Sequence, residues 1–119
     1  MEIKIVEEPM KKPVIHKNLA AGRWFELTLM EQLGNIGSEV SRAKTAQGKD
    51  AVRFQSAVDR ALELFDLTLS DKRWRGRLLE IGRAREVFCD AVLGGKEYAS
   101  SLSDLDRYFT QFAIAARQK

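Results

Sequence analysis

The chain has one histidine, His16, and one cysteine, Cys89, so the side chains that most often bind zinc or serve nucleophilic catalysis are nearly absent. A zinc site needs three or four Cys, His or carboxylate ligands, and a Ser-His-Asp triad needs a histidine held beside a serine. His16 lies in a lysine-rich approach to the first helix, where we expect a surface residue. Cys89 lies in an apolar helical stretch, where a free cysteine behaves as a small core residue. These two residues predict neither a zinc site nor a catalytic base.

Carboxylates recur in the second and third predicted helices without any histidine to accompany them. A di-iron bundle needs Glu-x-x-His pairs that point into the core, so we interpret these acids as a solvated face with ion pairs at four-residue spacing. The glycine segments GNIG and LGG lack the Lys-Ser that follows a phosphate-binding loop. We therefore predict no metal, no cofactor, no small-molecule substrate and no enzymatic activity. The acids concerned are Asp59, Glu63, Asp66, Glu80, Glu86 and Asp90.

A basic segment, DKRWRGRLLEIGRAR at residues 71–85, is the strongest candidate for a functional surface. A dense set of cations on one helix could bind the phosphates of RNA or DNA. Trp74 could stack on a base if it faced outward, whereas its spacing from Leu78 and Ile81 favours a core position. The alternative is a basic face that gives solubility or pairs with carboxylates of a neighbour. The candidate nucleic-acid-binding residues are Lys72, Arg73, Arg75, Arg77, Arg83 and Arg85.

Four amphipathic segments must position these residues. Apolar residues at spacings of three and four predict helices at about 18–46, 51–69, 72–93 and 103–117. Asn18 and Asp50 are good N-caps for the first two helices, and Gly48 is a stop signal. Short links favour sequential antiparallel neighbours, so we predict an all-α, up-down-up-down four-helix bundle over residues 18–119.

Residues 1–17 have a different pattern from the rest of the chain. The alternating EIKIVE and the prolines Pro9 and Pro13 predict a short extended N-terminal arm. The start of the chain lacks the apolar run of a signal peptide, and 18 consecutive apolar residues occur nowhere. With a lone cysteine and an ordinary globular composition, these features predict a single cytoplasmic domain without membrane contact.

The first predicted helix carries more apolar surface than one bundle seam can cover. Trp24 and Phe25 are adjacent, and neighbours on a helix point about 100° apart, so we expect one of them to face a second partner. Gly34, Gly37 and Ser41 form a small-residue patch that would allow close approach. These five residues are our candidate interface of a homo-oligomer. In the alternative interpretation the N-terminal arm covers them within one subunit.

Residues 32–69 show a pattern in which small residues near a bend precede a Gly-Lys break, an Arg-Phe helix start and a leucine-rich continuation. This stretch resembles the four-helix-bundle proteins encoded in ribosomal-RNA intervening sequences, and the accessory proteins of diversity-generating retroelements. The resemblance implies a bundle that assembles into a ring and has a basic surface that can bind nucleic acid. The residues that carry it are Ile36, Ser38, Ala43, Gly48, Lys49, Arg53, Phe54 and Leu62.

The sequence therefore predicts a non-enzymatic, oligomeric helical-bundle protein that uses a basic face as a nucleic-acid-binding accessory protein. The alternative function is a protein-protein interaction adaptor or assembly subunit with no nucleic-acid role. The expected partners are further copies of the chain and RNA or DNA.

Overall fold

The computed structural model describes residues 22–118, and every secondary-structure element in this part of the chain is a helix, which confirms the all-α prediction for it. Two 3-10 helices, Arg23–Glu26 and Lys72–Arg77, accompany four α-helices. None of the helices in this range is long and apolar enough to cross a membrane. The predicted arm at 1–17 and the predicted cap Asn18 lie outside the described residues. The four α-helices are α1 (Leu29–Ala46), α2 (Ala51–Leu69), α3 (Leu78–Val92) and α4 (Leu102–Arg117).

The first predicted helix, 18–46, is interrupted before α1. Arg23–Glu26 forms a 3-10 turn, and Leu27 then takes an extended conformation with φ −83° and ψ 151°. α1 starts after Thr28, whose hydroxyl accepts a hydrogen bond from Glu31 N at 3.1 Å. The Glu31 carboxylate in turn accepts from Thr28 N at 2.8 Å. This capping box satisfies amides that the start of a helix leaves unpaired, so α1 begins here.

The second helix has the bounds that the sequence predicts, 51–69. Asp50 caps it, because its carboxylate accepts from Arg53 N at 3.1 Å. In the link before it, Lys49 N and Asp50 N both donate to Ala46 O at 2.9 Å. Gly48 has φ +77°, a left-handed conformation that side chains disfavour, so glycine permits this tight reversal.

The third predicted helix, 72–93, is divided into the 3-10 helix Lys72–Arg77 and α3. Trp74 interrupts the helical pattern with φ −103° and ψ 27°. Asp71 accepts from Arg73 N at 3.0 Å and starts the 3-10 turn rather than an α-helix. The break brings the Trp74 indole to α1, where its Nε1 donates to Gln32 Oε1 at 2.8 Å. This tertiary hydrogen bond favours the interrupted form over a continuous helix.

The fourth helix agrees with its predicted bounds to within one residue. Ser101 Oγ accepts from Asp104 N at 3.1 Å, and Asp104 Oδ2 accepts from Ser101 N at 2.9 Å. This second capping box fixes the start of α4 at Leu102.

Three buried phenylalanines join α2, α3 and α4 at the centre of the fold. The ring centroid of Phe65 lies 5.8 Å from that of Phe88 and 5.9 Å from that of Phe109. α1 contacts α2 and α4 and adds one apolar stripe to this core. The buried residues of the stripe are Leu29, Leu33, Ile36, Val40 and Ala43.

Two glycines of α1 allow α4 to approach closely. A Cβ atom at Gly37 would lie 2.7 Å from Phe109 Cβ, and one at Gly34 would lie 3.1 Å from Ala113 Cα. Nearer the other end of α1, Lys44 Nζ pairs with Asp106 Oδ2 at 3.2 Å. The close approach predicted for both glycines is therefore present, but the partner is a helix of the same chain. Their assignment to an oligomer interface stays a prediction.

Candidate functional site

The structure separates the six cations of the predicted basic cluster. Lys72 and Arg75 lie exposed on the 3-10 helix, and neither has an ion-pair partner within residues 22–118. Arg77 Nε lies 3.1 Å from Glu80 Oε1, and Arg85 Nε lies 2.9 Å from Asp66 Oδ1. Arg73 and Arg83, described below, also have partners. Lys72 and Arg75 are therefore the unpaired members of the cluster.

Arg83 belongs to a small polar group at the end of α3. Its Nε lies 3.8 Å from Glu86 Oε1, and its guanidinium lies 5.7 Å from the ring centroid of Tyr98. Tyr98 donates its hydroxyl to Glu86 Oε1 at 2.9 Å. This hydrogen bond to Glu86 raises the pKa of Tyr98, because the neighbouring carboxylate favours the protonated phenol. Arg83 therefore has local partners on its own surface.

Arg73 bonds inward to a polar network that we call the latch, while 41% of its side chain stays exposed. Its Nε and Nη2 donate to the Asp71 carboxylate, with the shortest contact 2.7 Å from Nη2 to Oδ2. Nη2 also donates to Leu27 O at 2.7 Å, and the guanidinium lies 4.4 Å from the ring centroid of Trp74. Asp71 already neutralises this guanidinium, and the assignment of Arg73 to a nucleic-acid interface stays a prediction. The latch consists of Trp24, Gln32, Thr68, Asp71, Arg73 and Trp74.

The rest of the latch joins the 3-10 turn at residues 23–26 to α1 and α2. Trp24 Nε1 donates to Thr68 Oγ1 at 3.0 Å, and Trp24 O accepts from Gln32 Nε2 at 3.0 Å. Gln32 Nε2 also donates to Asp71 Oδ2 at 3.1 Å. Buried polar groups are tolerated in a fold when they are hydrogen-bonded. These hydrogen bonds therefore allow Gln32, Thr68 and Asp71 to lie in the interior.

The Asp71 carboxylate is held in its charged form. Hydrogen bonding from the Arg73 side chain lowers the pKa of Asp71 from 3.8 to about 2, against the opposing effect of burial. The backbone N–H of Arg73 and the amide of Gln32 lower it further. The electrostatics of the latch are thus those of a structural ion pair rather than of a proton-transfer site.

A second basic surface lies between the C-terminal part of α1 and the N-terminal part of α2. This α1–α2 cleft has a volume of about 750 Å³. Four cations line it, Arg42, Lys49, Arg53 and Arg60, together with a single carboxylate, Asp50. Serine and threonine hydroxyls and small apolar side chains make up the rest of its lining.

The cations of the cleft differ in how far they are neutralised. Arg42 Nη1 lies 2.8 Å from Glu39 Oε2, and Arg53 Nε lies 3.5 Å from Asp50 Oδ2. Both arginine side chains stay open to solvent, with exposed fractions of 62% and 84%. Lys49 and Arg60 have no ion-pair partner in the described part of the chain.

The groove between α3 and α4 contrasts with this cleft. Ala84, Val87, Leu105 and Tyr108 give it a mostly apolar lining, and its charged residues are Glu80, Asp104 and Arg83. Burial raises the pKa of Tyr108. The α1–α2 cleft is therefore richer in cationic side chains than the groove between α3 and α4.

The remaining predicted interface residues are divided between the core and the cleft. Trp24 is fully buried and bonded within its own chain, so its assignment to an oligomer interface is wrong. Phe25 is half-buried and packs against the core, and Ser41 lines the α1–α2 cleft. Exposed apolar side chains lie instead on the outer face of α3, where Leu79 is 90% exposed and Leu93, directly after the helix, is 81% exposed.

Within residues 22–118, no cluster of three or more His, Cys, Asp or Glu side chains has the arrangement to hold a metal ion. Comparisons with protein-family models, with curated proteins and with solved structures gave no match. The candidate site therefore depends on the geometry of this chain alone.

Sequence reasoning missed the α1–α2 cleft because its cations come from both sides of the Gly48 reversal, Arg42 before it and Lys49, Arg53 and Arg60 after it. In the sequence these cations form two pairs seven residues apart, Arg42 with Lys49 and Arg53 with Arg60. That repeated spacing was the available signal. The contiguous run at 71–85 is denser in the sequence, but its members point in different directions in the structure.

Proposed function

We propose that this protein is a non-enzymatic, oligomeric helical bundle that binds nucleic acid through cationic surface residues. The supporting observation is that two surfaces, the α1–α2 cleft and the 3-10 helix before α3, each carry two cations without a carboxylate partner within the described residues. Unpaired cations give the sequence-independent attraction to phosphates that dominates non-specific nucleic-acid binding. We include a cytoplasmic location of the protein in the same proposal.

The test of nucleic-acid binding is a salt titration with the full chain. Fluorescence anisotropy of a labelled RNA oligonucleotide should show binding at low salt, at about 50 mM, that weakens steeply toward about 200 mM. The logarithm of the affinity should fall linearly with the logarithm of the salt concentration. The reason is that each Lys or Arg that neutralises a phosphate releases counterions from the nucleic acid. Absence of binding at the lowest salt contradicts the proposal.

The fold part of the proposal is an antiparallel up-down-up-down order of the four helices. In support of it, Gly34 meets Ala113 near the start of α1, while Lys44 meets Asp106 near its end. Residue numbers thus rise along α1 as they fall along α4. Short links at residues 47–50 and 93–101 are consistent with neighbours of alternating direction.

A specific surface favours the oligomeric part, and with it the second candidate function as an assembly subunit. One side of α3 points away from the core and carries Leu79. Gly82 and Leu93 lie on the same side, three and fourteen residues after Leu79. Nothing lies within 4 Å of a Cβ atom at Gly82, so another helix could approach the backbone there. The occupant that we propose is a second copy of the chain, which would bury both leucines.

Light scattering on the purified chain tests self-association. The wild type should give a mass above that of one chain, and Leu79→Ser with Leu93→Ser should shift it toward the monomer. Val52→Ser is the matched control, because Val52 is also 80% exposed but lies on α2. A wild-type monomer, or an equal effect of the control, contradicts this interface.

A further inference from the structure

Two groups of side chains with the same order of chemical types line the α1–α2 cleft. Arg42, Thr45 and Lys49 give the order basic, hydroxyl, basic at positions i, i+3 and i+7. Arg53, Ser56 and Arg60 repeat this order at the same offsets. Arg53, Ser56 and Arg60 all lie on α2, where these offsets place them on one face, whereas Lys49 lies in the link after Gly48. All four cations line the cleft.

The spacing of the cations matches a chain of phosphates. Seven residues of helix extend about 10 Å, the distance over which Arg53 and Arg60 are set apart along α2. A stacked nucleic-acid strand rises about 3.4 Å per nucleotide, so this length corresponds to roughly three nucleotides. A free phosphate or a single carboxylate would leave one end of the cleft unused.

Two carboxylates near the cleft are already committed to the fold. Asp50 uses Oδ1 to cap α2 through Arg53 N, and Glu39 is buried with 8% of its side chain exposed. The bond from Glu39 Oε2 to Arg42 Nη1 holds the Arg42 guanidinium in place. Lys49 and Arg60 keep their full charge, since neither has an ion-pair partner among residues 22–118. The cleft therefore has a positive balance with part of its charge pre-positioned.

The uncharged lining indicates which part of a nucleic acid the cleft would contact. Ala46, Ala57 and Val52 are too small to stack on bases, and no aromatic side chain lines the cleft within the described residues. The Thr45 hydroxyl already donates to Ser41 O at 3.0 Å, whereas Ser56 has no hydrogen-bond partner in the described part of the chain. Cations with a free hydroxyl, and without stacking platforms, suit phosphate oxygens rather than base edges.

From these observations we infer that the α1–α2 cleft is the site that holds the phosphodiester backbone of one nucleic-acid strand, over about three consecutive nucleotides and without base selectivity. This inference rests on the proposed function and assigns it to a surface other than the basic segment at 71–85.

The test compares two charge reversals of equal size in the full chain. Lys49→Glu with Arg60→Glu alters the two unpaired cations of the cleft, and Lys72→Glu with Arg75→Glu alters the two unpaired cations of the 3-10 helix. Anisotropy with a labelled single-stranded RNA should show a roughly 10- to 100-fold loss of affinity for the cleft variant at about 50 mM salt. Its salt slope should fall by about 1.4, and the 3-10 variant should lose less than about three-fold.

Two further comparisons, one of base sequence and one of single-stranded with duplex RNA, define the ligand more closely. Oligonucleotides of equal length and different base order should lose affinity equally in the cleft variant, since the contacts are to phosphates. Retention of binding by Lys49→Arg with Arg60→Lys is expected, because the charge is conserved. Preferential loss for one base sequence would overturn the backbone assignment, and comparison with a duplex of the same sequence shows whether the strand is bound single or paired.

The outcomes separate this inference from the proposed function. A wild-type chain that binds no nucleic acid at low salt overturns both. A wild type that binds, together with a cleft variant of unchanged affinity or a 3-10 variant that loses more, overturns the cleft alone. Thermal unfolding of each variant checks the fold, and if a reversal unfolds the chain, Lys49→Gln with Arg60→Gln replaces it with the same expected order of effects.

Discussion

Asp71 accepts more hydrogen bonds than any other side chain of the latch. Its carboxylate accepts from the side chain and backbone of Arg73 and from the amide of Gln32, and the residue is only 5% exposed. A buried acid of this kind is tolerated because each of its oxygens is paired with a donor. Removal of its charge would leave Arg73 without its counter-ion at the junction of three elements.

We predict that Asp71→Asn lowers the free energy of unfolding by about 2–4 kcal/mol, because it weakens a buried, charge-assisted pair. Urea unfolding at neutral pH measures the change. Asp66→Asn is the control: Asp66 pairs with Arg85 at 2.9 Å but is 61% exposed, and an exposed pair contributes no more than about 1 kcal/mol. Equal losses from the two substitutions would contradict the role given to the latch.

The lowered pKa of Asp71 also predicts a pH dependence of stability. The folded state binds this proton more weakly than the unfolded state, so the contribution is complete above the ordinary value of 3.8 and disappears as the pH falls through about 2. Its size is about 2 kcal/mol. Urea unfolding of the wild type and Asp71→Asn should show a gap that narrows between about pH 4 and pH 2. A gap that is constant over this range contradicts the assignment.

At the scale of the helices, the glycines of α1 and α3 have opposite surroundings. Gly37 has Phe109 Cβ 2.7 Å from the position of an added Cβ, whereas nothing lies within 4 Å of one at Gly82. We predict that Gly37→Ala destabilises the fold by about 1–3 kcal/mol through overpacking, despite the better helix propensity of alanine. Gly82→Ala should stabilise by about 0.5–1 kcal/mol. Thermal or urea unfolding compares the two, and a stabilising Gly37→Ala would refute the close α1–α4 contact.

The helices that the sequence predicts well are those with local end signals. Asp50 caps α2 and Ser101 caps α4, and both bonds join residues within three positions of each other. The breaks at Leu27 and Trp74 depend on tertiary bonds, from Arg73 to Leu27 O and from Trp74 to Gln32, between residues more than forty positions apart. Hydrophobic spacing continues through both segments, so a local pattern predicts unbroken helices there.

The candidate site was harder to predict than the helices, for a related reason. Of the basic run at 71–85, Arg73 is paired with Asp71 and Arg85 with Asp66. The second pair joins residues 19 positions apart on different helices, so it does not follow from local spacing. The position of Trp74 follows better from the sequence. Its spacing from Leu78 and Ile81 favours a core position, and the side chain is partly buried against the core. The partners of a surface cation are set by helix packing, which the sequence shows only indirectly.

For the molecule as a whole, the proposed antiparallel order of α1 and α4 predicts which ends of the helices meet. An added Cβ at Gly34 lies 3.4 Å from Ala113 Cβ, close to the separation in a disulfide. In a Cys89→Ser background, Gly34→Cys with Ala113→Cys should therefore cross-link under mild oxidation, as a mobility shift on a non-reducing gel.

The matched control for this cross-link is Gly34→Cys with Asp106→Cys. Position 106 lies seven residues, about 10 Å, from position 113 along α4 and pairs with Lys44 instead. A control that cross-links as readily as the test pair, or a test pair that does not react, would contradict the proposed helix order.

The two indole donors of the latch are the whole tryptophan content of the chain. Trp24 is bonded to Thr68 and Trp74 to Gln32, so both chromophores lie at the same end of the bundle, away from the Gly48 reversal. Intrinsic emission is consequently a signal from that end alone, while circular dichroism averages over every helix. A mismatch between the two signals during unfolding would identify an intermediate in which one end of the molecule has opened before the other.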